Sequence, residues 1–309
     1  MGCGKMKKAG LVINPHIEKH IDTGLVVDSI GTLLGINEWL TSGERDIQKA
    51  IARILREKPD VIIGIGGDGT MNFIASSLIK NEAKNITLLG VGAGTGNVGP
   101  LISLCYEEIH NIVSTSIDLE ITEIDAIEVR HASSTLGYAF VDVMIANYFP
   151  GSIDGKFTLL DAKKFLESKA IEPVRMKLKP VTEKFYVEKN EKKLFEGGKE
   201  IEQVAVALLY DGKCYVGKVA CGILCAAVRN GMEGVVVLSD QKTMGISIVP
   251  EKFVKLWHLP FSRNDLVMIG GIAEGTYLII DGNPIMHAPE NLEFIIVKNA
   301  VRCYRKKEV

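Results

Sequence analysis

The first hundred residues alternate short, continuously apolar runs with amphipathic stripes. Residues 9–13 (AGLVI) form an apolar run that stops at Asn14-Pro15. Thr41-Ser42-Gly43 then precedes residues 44–58, where Ile47, Ile51, Ile54 and Leu55 fall on one helical face. Pro59-Asp60 ends that stripe, and residues 61–65 (VIIGI) read as a strand buried on both faces. A glycine-rich turn follows. Phe73, Ile74, Leu78 and Ile79 then mark a helix over 71–80, residues 86–91 mark another buried strand, and a second glycine-rich turn closes the series. Strand–helix–strand–turn–helix–strand–turn order predicts an open parallel sheet with helices on its faces.

After about residue 120 the texture changes. Residues 124–130, 138–145, 174–178, 184–187, 204–209, 234–238 and 277–280 read as strands joined by turns. Helical stripes are few, the best being 158–168 and 219–228. The charged stretch 188–202, with Gly197-Gly198, reads as a solvated hairpin or loop. The expected fold class is therefore α/β: an N-terminal open parallel α/β domain plus a β-rich, sandwich-like second domain. The expected boundaries are 1–120 and 121–285, with a C-terminal strand segment, 286–309, returning to the first domain.

Composition removes several alternatives. Lys plus Arg is 36 and Asp plus Glu is 38, a net charge of −2, which argues against a dedicated nucleic-acid binder. Six cysteines in 309 residues are too few for a disulfide scaffold. Cys221 and Cys225, four apart in an apolar run, read as core thiols rather than metal ligands. His16 and His20 share that spacing but lack the carboxylate of a zinc helix and fall in a loop-like segment. The start of the chain shows no signal peptide and departs from the myristoylation pattern at Met6. The apolar run 219–228 is too short to span a bilayer. A soluble, cytoplasmic protein is expected.

Glycine changes the picture. The chain has 31, about a tenth of its residues, and nine of them lie between 64 and 99. Gly66-Gly67-Asp68-Gly69-Thr70 sits between a buried strand and a helix start, where open α/β sheets bind ligands. Glycines there let phosphate oxygens approach backbone N–H groups, and the helix N-terminus adds partial positive charge. A bare carboxylate repels phosphate, so Asp68 needs a reason. It can hold Mg²⁺, take a proton from a hydroxyl nucleophile, or merely shape the turn. Gly90-Val91-Gly92-Ala93-Gly94-Thr95-Gly96-Asn97 follows the next strand, so both turns and Asn14-Pro15 belong to one edge of the sheet. Neither turn is a Walker A loop, and neither matches the dinucleotide G-x-G-x-x-G fingerprint.

Asn14-Pro15, Gly66-Gly67-Asp68-Gly69-Thr70 and Gly94-Thr95-Gly96-Asn97 together resemble the superfamily that joins NAD kinases with diacylglycerol and sphingosine lipid kinases. The likeness runs through the first hundred residues and continues more faintly to the end. It implies an α/β domain carrying the GGDGT turn, a β-sandwich domain closing a cleft, and phosphoryl transfer from ATP with Mg²⁺ to a substrate hydroxyl. Lipid kinases usually continue the second turn with Asp-Phe, whereas Asn97 is followed here by Val98-Gly99-Pro100. The Asn-acid pair of typical NAD kinases is also missing: Asn37-Glu38 precedes GGDGT and Asn147 is followed by Tyr148. The best likeness is to a divergent ATP-NAD kinase-like branch that includes acetoin-utilisation X proteins, through Phe140-Val141-Asp142-Val143, Phe149-Pro150-Gly151-Ser152 and Asp281-Gly282.

The resemblance implies Asp68 as general base or as the carboxylate that positions the acceptor hydroxyl. Gly66, Gly67, Gly69 and Thr70 would line the phosphates, and Asn14, Thr95, Gly96 and Asn97 would face the same site. Asn72 either reaches the ligand or lies on the helix surface. Asp142 faces the site or solvent, since a lone buried carboxylate is costly. Asp281-Gly282 is a hairpin turn or a second acidic ligand. Lys218 and Arg229 are phosphate partners or solvated ends of an apolar segment. The leading expectation is an ATP-dependent, homo-oligomeric small-molecule kinase acting on NAD or a related metabolite. The alternatives are a diacylglycerol-type lipid kinase and a catalytically inactive nucleotide-binding regulator.

Overall fold

The computed structural model describes residues 7–44, 46–93, 99–112, 117–153, 156–209, 231–241 and 254–307. The chain divides into two compact units: residues 1–125 with 299–309, and residues 126–298. The expected helix at 219–228, with Lys218, Cys221, Cys225 and Arg229, lies outside the described residues.

The first unit is built on a parallel sheet. Its elements are β1 (Lys7–Ile13), α1 (Thr23–Leu34), β2 (Ile36–Leu40), α2 (Ile47–Arg56), β3 (Val61–Gly66), α3 (Asp68–Lys80), β4 (Thr87–Gly92) and β5 (Ile102–Cys105). Strands β2, β1, β3 and β4 lie side by side in that order, and β5 pairs with β4, all parallel. Both β3 and β4 are buried at every position, as their unbroken apolar runs require. Helix α2 follows its stripe: Ala50, Ile51 and Ile54 are buried, Asp46 caps it by accepting from Lys49 N, and Arg53 and Arg56 occupy the last turn. Helix α1 and strand β2 are additions to the sequence reading. Helix α1 buries Val26, Ser29 and Ile30 and exposes Asp28 and Thr32, but two glycines and a buried serine blur its stripe. Its ends are nonetheless marked, by Asp22 accepting from Leu25 N and by Gly35 in the left-handed region at φ 65°.

The second unit is β-rich. The strand β6 (Leu119–His131) enters it, followed by β7 (Ser134–Ala139), β8 (Asp142–Ala146), β9 (Tyr148–Ile153), β10 (Lys156–Asp161) and α4 (Ala162–Ser168). Then come β11 (Val181–Lys189), β12 (Lys192–Glu196), β13 (Gln203–Leu208), β14 (Gly234–Ser239), β15 (Leu256–Phe261), β16 (Val267–Ile272), β17 (Tyr277–Ile280), β18 (Asn283–His287) and β19 (Asn291–Lys306). One sheet runs β15-β14-β13-β8-β17-β18, antiparallel throughout. Strands β12, β11, β16 and the start of β19 form a second antiparallel ladder. Side chains from both, including Val143, Val206, Phe185, Ile269 and Phe294, share one buried core. The architecture is therefore α/β with a parallel sheet and a β-rich second part. Strand β19 passes from one unit to the other, and Arg302 and Cys303 pair in parallel with Thr87 and Leu88 of β4.

Three elements differ from expectation. Residues 158–168 are not one helix, because Asp161 ends strand β10 and caps the short α4 by accepting from Lys164 N at 3.0 Å. Residues 138–145 are two strands, broken at Phe140–Val141 where the backbone turns its N–H groups to a carboxylate. Residues 174–178 form no strand. Pro173 makes a single bridge to Leu160, and the chain then bends to Asn147, whose amide donates to Met176 O and accepts from Leu178 N.

Glu128 on β6 is an exception inside the apolar core, at 6% exposure. It pairs with Arg130 and accepts from Thr135 Oγ1. Burial alone would raise its carboxyl, but the Arg130 and Thr135 hydrogen bonds outweigh burial and hold it below the usual range. A depressed folded-state pKa contributes stability that is fully present above the unfolded value near ~4.3. That contribution is lost as pH falls through the still lower folded value. Glu128→Gln is expected to lower stability by about 1–3 kcal/mol at neutral pH. It should also flatten the decline in melting temperature between neutral and acid pH. A variant whose melting curve keeps the wild-type slope would remove Glu128 from the acid response.

Candidate phosphate-binding site

The ends of β1, β3 and β4 lie together. Ile13 is level with Ile65, and Gly66 with Gly92. Beyond those ends the backbone is still stitched, with Asn14 N donating to Ile65 O at 2.9 Å and Ala93 N to Gly66 O at 3.0 Å. Helix α3 begins at Asp68, directly after β3, so its N-terminus faces this edge. Gly67 is the capping residue and offers no side-chain cap; its carbonyl accepts from Thr70 N and Met71 N. A helix of 13 residues that starts without a side-chain cap has the N–H groups and dipole end suited to an anion.

Gly66 is required by close approach. A Cβ there would lie 2.5 Å from Thr70 Oγ1 and 2.7 Å from its Cβ. Thr70 is buried, and its hydroxyl accepts from Asn14 Nδ2 at 3.0 Å. Asn14 Oδ1 in turn accepts from His16 N at 3.0 Å. Asn14 and Thr70, from two separate motifs, are thus a single hydrogen-bonded unit. Asn72 is also buried and accepts from Ser76 Oγ at 3.3 Å, so the helix-surface reading of this residue is corrected. Gly69 is the second residue of α3. The segment Gly94, Thr95, Gly96 and Asn97 lies outside the described residues.

Asp68 Oδ1 accepts from Gly99 N at 2.8 Å. The carboxylate therefore ties the start of α3 to the exit of the second glycine-rich stretch. That exit is fixed from behind. Arg305 donates to Pro100 O and, at 3.0 Å, to Ile102 O. Ser103 Oγ donates to Tyr304 O and lies 3.4 Å from the Gly90 amide that donates to it. Gly90 leaves room for this strand, since a Cβ there would sit 2.0 Å from Leu101 O. Arg305 escapes a sequence reading because about 200 residues separate it from the turn it holds.

The remaining candidates fall elsewhere. Asp281 is in the second unit and accepts from three consecutive backbone N–H groups, those of Phe140, Val141 and Asp142, at 2.8, 2.8 and 3.0 Å. Its own N–H donates to Asp142 O, so Asp281-Gly282 is the β17–β18 hairpin turn and its carboxylate holds a structural corner. Asp142 is partly buried at that corner. Among the described residues, no three His, Cys, Asp or Glu side chains group as a metal site. Mg²⁺ is usually held by one or two carboxylates plus substrate phosphates and water, so a single Asp68 fits that mode and a protein cage is not needed. Thiol chemistry is disfavoured at both described cysteines. Burial, then Glu108 and Glu107, push the Cys105 thiol up, and burial pushes Cys303 up to about 11.

Residues 11–129 match the family described as the diacylglycerol kinase catalytic domain. The match covers the first part of the chain only, less than half of its length. An uncharacterized protein of Archaeoglobus fulgidus is 27% identical over 184 residues, covering 53% of this chain and 56% of that protein. The match therefore spans little more than half the relative's length. A diacylglycerol kinase of Bacillus anthracis is similar in structure over 97% of both chains, with a TM-score of 0.56 and 15% identity. A second solved structure from that organism, provisionally titled a diacylglycerol kinase, is similar over the same share with a TM-score of 0.60 and 17% identity. At such identities these likenesses concern the fold. No helix among the described residues is long and apolar enough to cross a membrane.

Proposed function

We propose that this protein is a phosphotransferase that moves the terminal phosphoryl group of ATP to an alcohol. The observation carrying this reading is the Gly66–Thr70 turn at the start of α3, with the Asp68 carboxylate at the strand edge, inside a domain matched by a kinase catalytic family. The N–H groups at the start of α3 bind phosphate oxygens. The Asn14–Thr70 pair keeps the turn in shape, and Gly66 lets it close. Mg²⁺, when bound with ATP, neutralises charge on the phosphates. Asp68 orients the acceptor hydroxyl and takes its proton, and the rest of catalysis is alignment.

We assign the acceptor as the hydroxyl of NAD or a related metabolite, because Val98-Gly99-Pro100 replaces the continuation usual in lipid kinases. A lipid alcohol is the second reading, favoured by the family that residues 11–129 match. Incubation with labelled Mg²⁺-ATP and separate pools of NAD, diacylglycerol and polyols decides between them. Label on NAD supports the first reading and label on diacylglycerol the second. Nucleotide binding with no labelled acceptor overturns both in favour of a regulator.

A further inference from the structure

The second unit carries a small lobe whose charge contrasts with the rest of the chain. It comprises the hairpin of β9 and β10, helix α4 and the segment that follows. Residues 148–179 hold seven Lys or Arg and four Asp or Glu, a net charge of +3 in a chain whose total is −2. Three of these acids are engaged locally. Asp161 caps α4, Glu172 pairs with Lys164, and Glu167 lies 4.0 Å from Lys163. Lys156, Lys163, Lys169 and Arg175 are all exposed.

The same lobe places apolar side chains in water. Its inner face is well packed: Phe149, Leu160 and Ala162 are buried with Tyr277 and Ile279, and Phe165 meets Phe149 edge to face. On the outside, Phe157 is 62% exposed, Met176 67% and Ile171 49%. These are the three most exposed large apolar side chains among the described residues. They lie on adjoining segments, because residues 172–174 run antiparallel along β10 through Asp161 N to Glu172 O, Val174 N to Leu159 O, and the Leu160–Pro173 bridge. Phe157 is near the end of its hairpin, opposite Ser152.

We propose that this lobe docks on a bilayer carrying anionic phospholipid headgroups, with Phe157, Ile171 and Met176 entering the interface and the surrounding lysines and Arg175 meeting headgroup phosphates. Exposed apolar side chains ringed by cations need a partner that is apolar within and negative at its surface, and a bilayer of this composition is both. A second copy of the lobe is a poor occupant, because two surfaces of net charge +3 repel. Long lysine stems can lie along the interface while their ammonium groups stay hydrated. The proposal does not depend on which alcohol is phosphorylated.

The test is co-sedimentation of the full chain with vesicles of phosphatidylcholine alone and of phosphatidylcholine mixed with phosphatidylglycerol. Binding is expected to the mixed vesicles, weakened at least about tenfold by high salt. F157S/M176S and K163E/K169E are each expected to weaken it by about tenfold or more. Their melting temperatures should stay at the wild-type value, since all four side chains are exposed. Absence of binding to the mixed vesicles, equal binding to neutral and mixed vesicles, or wild-type binding by both folded variants would overturn the proposal. So would a monomer–dimer shift caused by F157S/M176S without any vesicle binding, which would make the face a contact between copies.

Discussion

Asp68→Asn is expected to lower turnover by at least about 100-fold, with little change in melting temperature, once an acceptor is in hand. The geometry makes this substitution unusually clean. Asp68 Oδ1 accepts from Gly99 N, and an asparagine can present its own Oδ1 to the same N–H at the same 2.8 Å. The tie between the two glycine-rich stretches survives, and only the negative charge and the proton-accepting oxygen are lost. Asp68→Ala removes the tie as well. It should therefore weaken nucleotide binding in addition to turnover, because the backbone at Gly99 is no longer fixed from the front. Steady-state kinetics with saturating Mg²⁺-ATP, together with nucleotide titration of both variants, separates the two contributions. Near wild-type turnover by Asp68→Asn would remove Asp68 from the chemistry and leave it as a turn-shaping residue.

Much of the first unit is legible in the sequence because its physics is local. A parallel strand buried on both faces must be apolar nearly throughout, and 61–65 and 88–91 are apolar at every position. The α2 stripe and the turn after β3 follow from spacing alone. Helix α1 is harder, since Gly24, Gly31 and the buried Ser29 blur the period that betrays a helix; Asp22 and Gly35 mark its ends. Residues 138–145 show the opposite failure. Their apolar texture is continuous, and nothing near them reveals that a carboxylate about 140 residues later breaks the strand in two. The same limit applies at the site. Asn14, Gly66 and Thr70 can be named from motifs, but that Asn14 bonds to Thr70, that Asp68 bonds to Gly99, and that Arg305 holds Pro100 and Ile102 are long-range facts. Burial of Asn72 likewise depends on what α3 packs against.

Asp281→Ala is expected to produce the largest loss of stability. Its carboxylate is 7% exposed as a residue and accepts three backbone N–H bonds at 2.8 to 3.0 Å. A hydrogen bond to a charged group contributes about 1.5–3 kcal/mol, and a buried donor left without a partner costs about 1–3 kcal/mol. Three such donors at Phe140, Val141 and Asp142 would be stranded at once. Even with partial rescue by water the loss should reach at least about 3 kcal/mol, or roughly 6–12 °C for a unit of this size. The loss should be graded. Asp281→Asn keeps an acceptor for Val141 N and Asp142 N at the Oδ1 position, but turns an amide N–H₂ toward Phe140 N, so it should fall between wild type and alanine. Thermal melts of the three proteins give that order directly. If the residue instead serves as an acidic ligand of the reaction, the pattern inverts: Asp281→Asn would melt like wild type while turnover collapses. A melting temperature for Asp281→Ala within about 2 °C of wild type, less than a single lost hydrogen bond predicts, would show that the corner between β7 and β8 does not rest on this carboxylate.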